Sequence, residues 1–111
     1  MAEWEINYYS NKLEETILEL PDGLLARYLR LTDLIEEFGP NLGEPHTKSL
    51  GEKLFELRIK SKEGIARAFY CTKIGKKVIV LHIYIKKTNK IPKKELEIAR
   101  KRLKEVLEDD S

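Results

Sequence analysis

One cysteine and two histidines leave this chain of 111 residues without the means to build a disulfide framework or a metal cage. Cys71 has no second cysteine to pair with and lies inside a strand-like run, which reads as a small buried residue in a reducing cytoplasm. His46 and His82 are the only imidazoles, and His46, between Pro45 and Thr47, reads as an exposed loop residue. There is no Gly-rich phosphate loop, no Gly-x-Ser-x-Gly elbow, and no spaced carboxylate pair in the strand region beyond Glu56. These absences weigh against metal-dependent, nucleotide-hydrolysing and triad chemistry, so no metal and no cofactor are expected. An enzyme of this composition works with His, Tyr, Arg and Lys. No apolar run approaches the ~20 residues that span a bilayer. The opening Met1-Ala2-Glu3-Trp4-Glu5 is acidic and amphipathic, unlike a secretory signal. A cytoplasmic protein with no membrane partner is expected.

What is present is an ordinary globular composition, 41% apolar and 36% charged, enough for one domain with one core. The net charge of +2 conceals a segregation. Residues 1–40 carry 3 Lys/Arg against 9 Asp/Glu, whereas residues 86–104 carry 9 against 2. Residues 41–85 carry 9 against 4, and only the tail, 105–111, turns acidic again. Such segregation creates a positive field over the second half that the total does not show, and a polyanion is the natural partner.

Periodicity supplies the elements. Trp4–Tyr9 alternates as a first strand, and Asn11–Leu20 sets Leu13, Ile17 and Leu20 on one helical side. After Pro21-Asp22, a second helix carries the stripe Leu24, Tyr28, Leu31, Ile35 and Phe38, and Gly39-Pro40 stops it. Residues 41–53 read as a loop rich in Gly and Pro. Three strand-like runs follow as a meander, Leu54–Lys60, Ile65–Thr72 and Val78–Ile85, joined by turns at Ser61-Lys62-Glu63-Gly64 and Ile74-Gly75-Lys76. Pro92 opens a last helix with the stripe Leu96, Ala99, Leu103 and Leu107. The expectation is an α+β fold, β-α-α-β-β-β-α, with a mostly antiparallel four-stranded sheet, a helical hairpin on one face and a C-terminal helix. The hairpin should pack on Phe55, Leu57, Ile79, Leu81 and Ile83.

Alternation along the meander is selective: apolar residues take one parity, and Arg58, Lys60, His82, Tyr84 and Lys86 take the other. A sheet face bearing guanidinium, imidazole, phenol and ammonium groups suits nucleic acid. Arg67 interrupts an otherwise apolar strand between Ala66 and Ala68, and reads either as a phosphate ligand or as half of an ion pair with Glu56. His82 has two readings, proton transfer or a hydrogen-bonded histidine beneath the last helix. Tyr84 and Tyr70 carry a similar pair of readings, functional phenols or large sheet-covering rings with one polar handle. Lys86, Lys87 and Lys90 mark a basic strand end and loop, and Lys93 and Lys94 extend it into the last helix. RNA cleavage without a metal requires deprotonation of a 2′-OH, stabilisation of the phosphate, and protonation of the leaving oxygen. Arg and Lys suit the second task, and Tyr, His or a Lys of depressed pKa the proton work.

These residues also carry a resemblance. The series Leu54-Phe55-Glu56-Leu57-Arg58, Arg67-Ala68-Phe69-Tyr70, Leu81-His82-Ile83-Tyr84-Ile85-Lys86-Lys87-Thr88, and Pro92-Lys93-Lys94-Glu95 with Ala99-Arg100 resembles the phage-derived HigB-like toxins. These form a branch of the RelE/ParE superfamily of type II toxin–antitoxin systems. Gly39-Pro40-Asn41-Leu42-Gly43 and Pro45-His46-Thr47-Lys48-Ser49-Leu50 match the loop that such toxins place before their second strand. The resemblance runs from about Trp4 to Leu107. It implies a single toxin domain over residues 1–111 and a metal-independent mRNA endoribonuclease (an mRNA interferase) that blocks translation at the ribosomal A site. It also implies a cognate antitoxin of helix-turn-helix, HigA-like kind. By the same resemblance Arg67 and Lys87 are catalytic candidates, with Tyr84 or His82 substituting for the missing proton-transfer residue, and Lys86, with Arg58 and Lys60, falls at expected RNA-binding positions. The basic loop and helix turn add Lys90, Lys93 and Lys94 as expected RNA contacts. The chain departs from the pattern in a shortened first helical segment, in Ile91 where relatives often have Thr, and in lacking a catalytic Tyr after Lys90. Two alternatives share the fold: a ParE-like toxin inhibiting DNA gyrase, and an inactive nucleic-acid- or protein-binding module.

Overall fold

Ser10 starts the first helix: its side chain accepts a hydrogen bond from the Leu13 amide at 3.1 Å, satisfying an otherwise orphaned donor. The computed structural model describes residues 3–109, so the outermost residues of the acidic start and tail lie outside the described residues. Strand β1 is Glu5–Tyr8, and helix α1 runs over Asn11–Leu18, two residues shorter than its apolar pattern suggests. Helix α2, Asp22–Phe38, follows Pro21 and ends at Gly39, whose φ of 101° is a conformation that glycine adopts without a Cβ penalty. Strands β2 (Thr47–Gly51), β3 (Leu54–Ser61), β4 (Gly64–Lys73) and β5 (Lys77–Ile85) complete the sheet, and α3 (Lys93–Glu108) closes the fold. The strand order is β1-β5-β4-β3-β2, with β1 parallel to β5 and every other pair antiparallel.

The α+β class and the chain order of helices and meander match the expectation, and the sheet has five strands rather than four. The added strand, β2, lies in the stretch read as a loop. Its sequence, Thr-Lys-Ser-Leu-Gly, is short and polar, as befits an edge strand with little to bury.

The helical hairpin covers one face of the sheet. Leu13, Ile17, Leu24, Tyr28, Leu31 and Ile35 pack with Leu57, Ile59, Ala66, Ala68, Tyr70, Val78, Val80 and Ile83. Phe38 does not join its stripe: it is 69% exposed at the last helical position, beyond the reach of the sheet. Ile79 and Leu81 are also not under the hairpin but on the opposite face, with Ala99 and Leu103 of α3. The cause is a bulge. Phe69 pairs with His82 while Tyr70 pairs with Val80, leaving Leu81 as the extra residue, so the alternation of β5 slips by one. Beyond the slip, His82 shares a face with Phe69, its ring parallel to the phenyl at 6.3 Å.

Two phenols are sealed in the first core. Tyr28 is fully buried and receives or gives a hydrogen bond to Tyr8 at 3.0 Å, while Tyr70 donates to the Pro40 carbonyl. Burial pushes both phenols well above the ordinary tyrosine range. A raised folded-state pKa gives stability that is whole below about pH 10, where unfolded tyrosine titrates, and is lost above it. Denaturant titrations should therefore show stability level up to about pH 9 and then falling, by up to about 1.4 kcal/mol per pH unit for each phenol. A flat profile to pH 11.5 would contradict this packing.

Candidate active site

Helix α3 covers only the half of the second face that lies towards the β4–β5 turn, where Leu54, Phe69, Cys71, Ile79 and Leu81 meet it. The other half carries the polar parity of β3, β4 and β5. Register sets these residues in a row: Arg58 of β3 is directly opposite Arg67 of β4, which is directly opposite Tyr84 of β5. The row behind it, towards α3, is Glu56, Phe69 and His82. On the open side, Lys60 pairs with Ile65, whose carbonyl accepts the Lys86 amide at 2.7 Å.

Two arginines opposite each other in a sheet repel, and that arrangement is destabilising unless something anionic lies across it. Glu56 neutralises part of the charge. Its Oε2 stands 3.7 Å from Arg67 Nη1, both side chains being 11% exposed, so the ion pair weighed for Arg67 is present, though too long for a hydrogen bond. Four polar atoms in these two rows are buried with no hydrogen-bond partner among the described residues: Glu56 Oε2, Arg58 Nε, Arg67 Nε and Tyr84 Oη. Each such atom costs about 1–3 kcal/mol, so their concentration in one place makes this part of the sheet the candidate site.

Titration behaviour agrees with this grouping. Burial pushes the Tyr84 phenol up, and the neighbouring Arg67 guanidinium opposes the shift. Partial desolvation, then repulsion from Arg67 and Arg58, pulls the Lys86 ammonium down, with Glu56 opposing. Lys86 therefore feels both arginines.

His82 is held apart from the row. Its Nε2 lies 2.7 Å from Glu95 Oε1 in the first turn of α3, the hydrogen-bonded alternative of its two readings. The rings of His82, Phe69 and Tyr84 lie near-parallel, with Phe69 to Tyr84 at 5.9 Å. Lys87 and Lys90 sit on the exposed loop between β5 and α3, and Lys93 and Lys94 on the exposed first turn of α3. Lys93 pairs with its helical neighbour Glu97, at 3.9 Å. The fold thus gathers Arg58, Arg67, Tyr84 and Lys86, flanks them with Lys60 and His82, and leaves the other four lysines at the rim. Sequence reasoning missed Glu95. Its one signal is its position three residues after Pro92, in the turn that must face the end of the sheet.

A family model described as phage-derived protein Gp49-like (DUF891) matches residues 15–104, which contain the entire row. The chain belongs to this family. Gp49-like proteins are a RelE/HigB-like toxin family, in agreement with the resemblance carried by the strands and the basic loop. The fold of this Gp49-like chain is also that of a chain in the crystal structure of the archaeal RelE–RelB complex from Pyrococcus horikoshii OT3. The two superpose with a TM-score of 0.56 over 75% of this chain and 94% of the archaeal one, at 17% identity. No curated protein matches the sequence. Family and fold together make the Gp49-like chain a toxin of the RelE superfamily.

Proposed function

We propose that this toxin is a type II mRNA endoribonuclease acting in the cytoplasm, on messages held in the ribosomal A site. One observation carries the reading: Arg58 directly faces Arg67 on a half-covered sheet, with both Nε atoms buried and unmatched. A phosphodiester laid across the row supplies the missing acceptors and relieves the repulsion.

The residues divide the chemistry among them. Glu56 on β3 and Tyr84 on β5 flank Arg67, an arrangement that suits in-line displacement at a phosphate held by the arginine. Glu56 takes the proton of the 2′-OH as that oxygen attacks phosphorus. The bond from phosphorus to the 5′-oxygen breaks, and Tyr84 donates its proton to the leaving oxygen. The products are a 2′,3′-cyclic phosphate and a 5′-hydroxyl. A phenol pushed up by burial keeps its proton at neutral pH, as a general acid must. Arg67, with Arg58 and Lys86, meets the charge that develops on the phosphate. His82, bonded to Glu95, holds α3 and the ring of Tyr84 in place. Lys60, Lys87, Lys90, Lys93 and Lys94 hold the RNA backbone, so Lys87→Ala should weaken RNA binding uniformly across sequences and reduce its salt slope by about 1.

The archaeal relative is a complex with RelB. By analogy a cognate antitoxin of HigA-like, helix-turn-helix kind restrains this chain, and an acidic or amphipathic segment fits the row and its rim. The function is tested by inducing the chain in bacteria and mapping mRNA 5′ ends beside gyrase supercoiling. New 5′ ends within translated messages, with supercoiling intact, are expected. Intact mRNA with arrested supercoiling would give the protein to the ParE-like reading.

A further inference from the structure

Strand β2 begins at Thr47, which pairs with Leu57, so the outer edge of β3, opposite β4, has no strand neighbour from Arg58 onwards. The His46 carbonyl takes the next amide, that of Arg58, at 2.9 Å, and the chain then turns away through Pro45. A cavity of about 440 Å³ opens there, between the β3 edge and α2, lined by Arg27, Pro45, His46, Arg58 and Lys60. Its volume falls within the roughly 300–1,000 Å³ of small-ligand pockets. Arg58 is common to this cavity and to the row, so the cavity adjoins the row at that residue.

The lining is chemically one-sided. It offers two guanidinium groups, an ammonium, an imidazole face and a proline ring, and no carboxylate. No ion pair joins Arg27, Arg58 or Lys60 to an acid among the described residues. Arg27 is half-buried on α2, in the half of the chain where acids outnumber bases three to one, yet it lines a cavity whose other charged residues are cationic. Fixed guanidinium forks suit a phosphate, and flat imidazole and proline surfaces suit a base.

We infer that this cavity is a nucleotide subsite: it holds the RNA residue adjoining the scissile phosphate, with Arg27 and Lys60 on its phosphate and His46 and Pro45 against its base. The inference rests on the RNA-cleaving reading of the row and adds to it a second contact point, away from the reacting atoms. It also gives the edge of β3 a part in choosing which nucleotide is accepted next to the cut.

The chain's two histidines report on the two places separately, His46 from the cavity and His82 from beside the row. The test is an NMR titration of the full chain with a cleavage-resistant 2′-O-methyl trinucleotide, following the imidazole signals of both. Both should shift together with a single Kd. Arg27→Gln should raise that Kd roughly tenfold, the loss of one charge-assisted phosphate contact, and shrink the His46 shift while the His82 shift persists at saturation. A His82 signal that moves while His46 stays still, or an Arg27→Gln variant of unchanged affinity, would overturn the subsite and leave the row's function standing. If neither signal moved at millimolar trinucleotide, the subsite would fall, while the row's function would still be decided by the mapping of mRNA 5′ ends.

Discussion

Arg67→Gln should cut the rate of mRNA cleavage by roughly 10²–10³-fold, because a fixed donor on developing phosphate charge is worth about 3–4 kcal/mol in the transition state. Glutamine keeps much of the side chain's bulk and removes its charge. Two effects on folding oppose each other in this variant. Glu56 loses its cation at 3.7 Å, while the repulsion of Arg58 and Lys86 is relieved. The melting temperature should therefore stay within a few degrees of the wild type, and circular dichroism with a cleavage assay in a translating extract separates the two properties. Wild-type cleavage by a folded Arg67→Gln protein would remove the row from the mechanism.

Leu31→Ala should act in the opposite way, unfolding the protein without touching the row. Leu31 is fully buried at the middle of α2's apolar stripe, between Tyr28 and Ile35 and over the hairpin face of the sheet. Removing a buried leucine side chain costs about 2–5 kcal/mol, the transfer of the lost methyl groups plus the cavity they leave. Domain stabilities of about 5–15 kcal/mol make that a large fraction, so a shift in the urea midpoint should be plain at unchanged slope. A change below about 0.5 kcal/mol would mean that α2 presents a different face to the sheet.

The elements that repeat strongly were legible in the sequence, and those set by a local irregularity were not. Leu24, Tyr28, Leu31 and Ile35 recur at helical spacing over about three turns, and their burial follows from that period alone. Arg67 stood out because a charge in a run of Ile, Ala and Phe needs a partner, and the partner considered for it, Glu56, is present. Strand β2 was hidden because an edge strand buries little and shows no alternation. The bulge at Leu81 was hidden more deeply. Every residue of β5 from Val78 to Leu81 is apolar, so nothing in the pattern shows where the phase slips, and Ile79 and Leu81 were placed on the hairpin face for that reason. The slip has a functional consequence, since it aligns His82 with Phe69 and brings Tyr84 opposite Arg67.

The contributions of Arg27, His46 and Glu95 depend on contacts between elements distant in the chain, which spacing cannot encode. Glu95 reaches His82 across 13 residues, and Arg27 meets the β3 edge only after α2 has docked. Charge segregation points to the second half of the chain for binding a polyanion. It could not show that one arginine of the acidic half turns towards the same surface.

The most direct measurement is of the ends left on cleaved mRNA. Transcripts recovered from a translating extract containing the wild-type toxin should carry a 5′-hydroxyl on the downstream fragment and a 2′,3′-cyclic phosphate, or the 3′-phosphate from its opening, on the upstream one. A single 2′-deoxy substitution at the cut nucleotide should abolish that cut, since the attacking oxygen is gone. Downstream fragments bearing a 5′-phosphate, or cleavage that persists through the 2′-deoxy position, would contradict attack by the 2′-OH across the Arg58–Arg67–Tyr84 row.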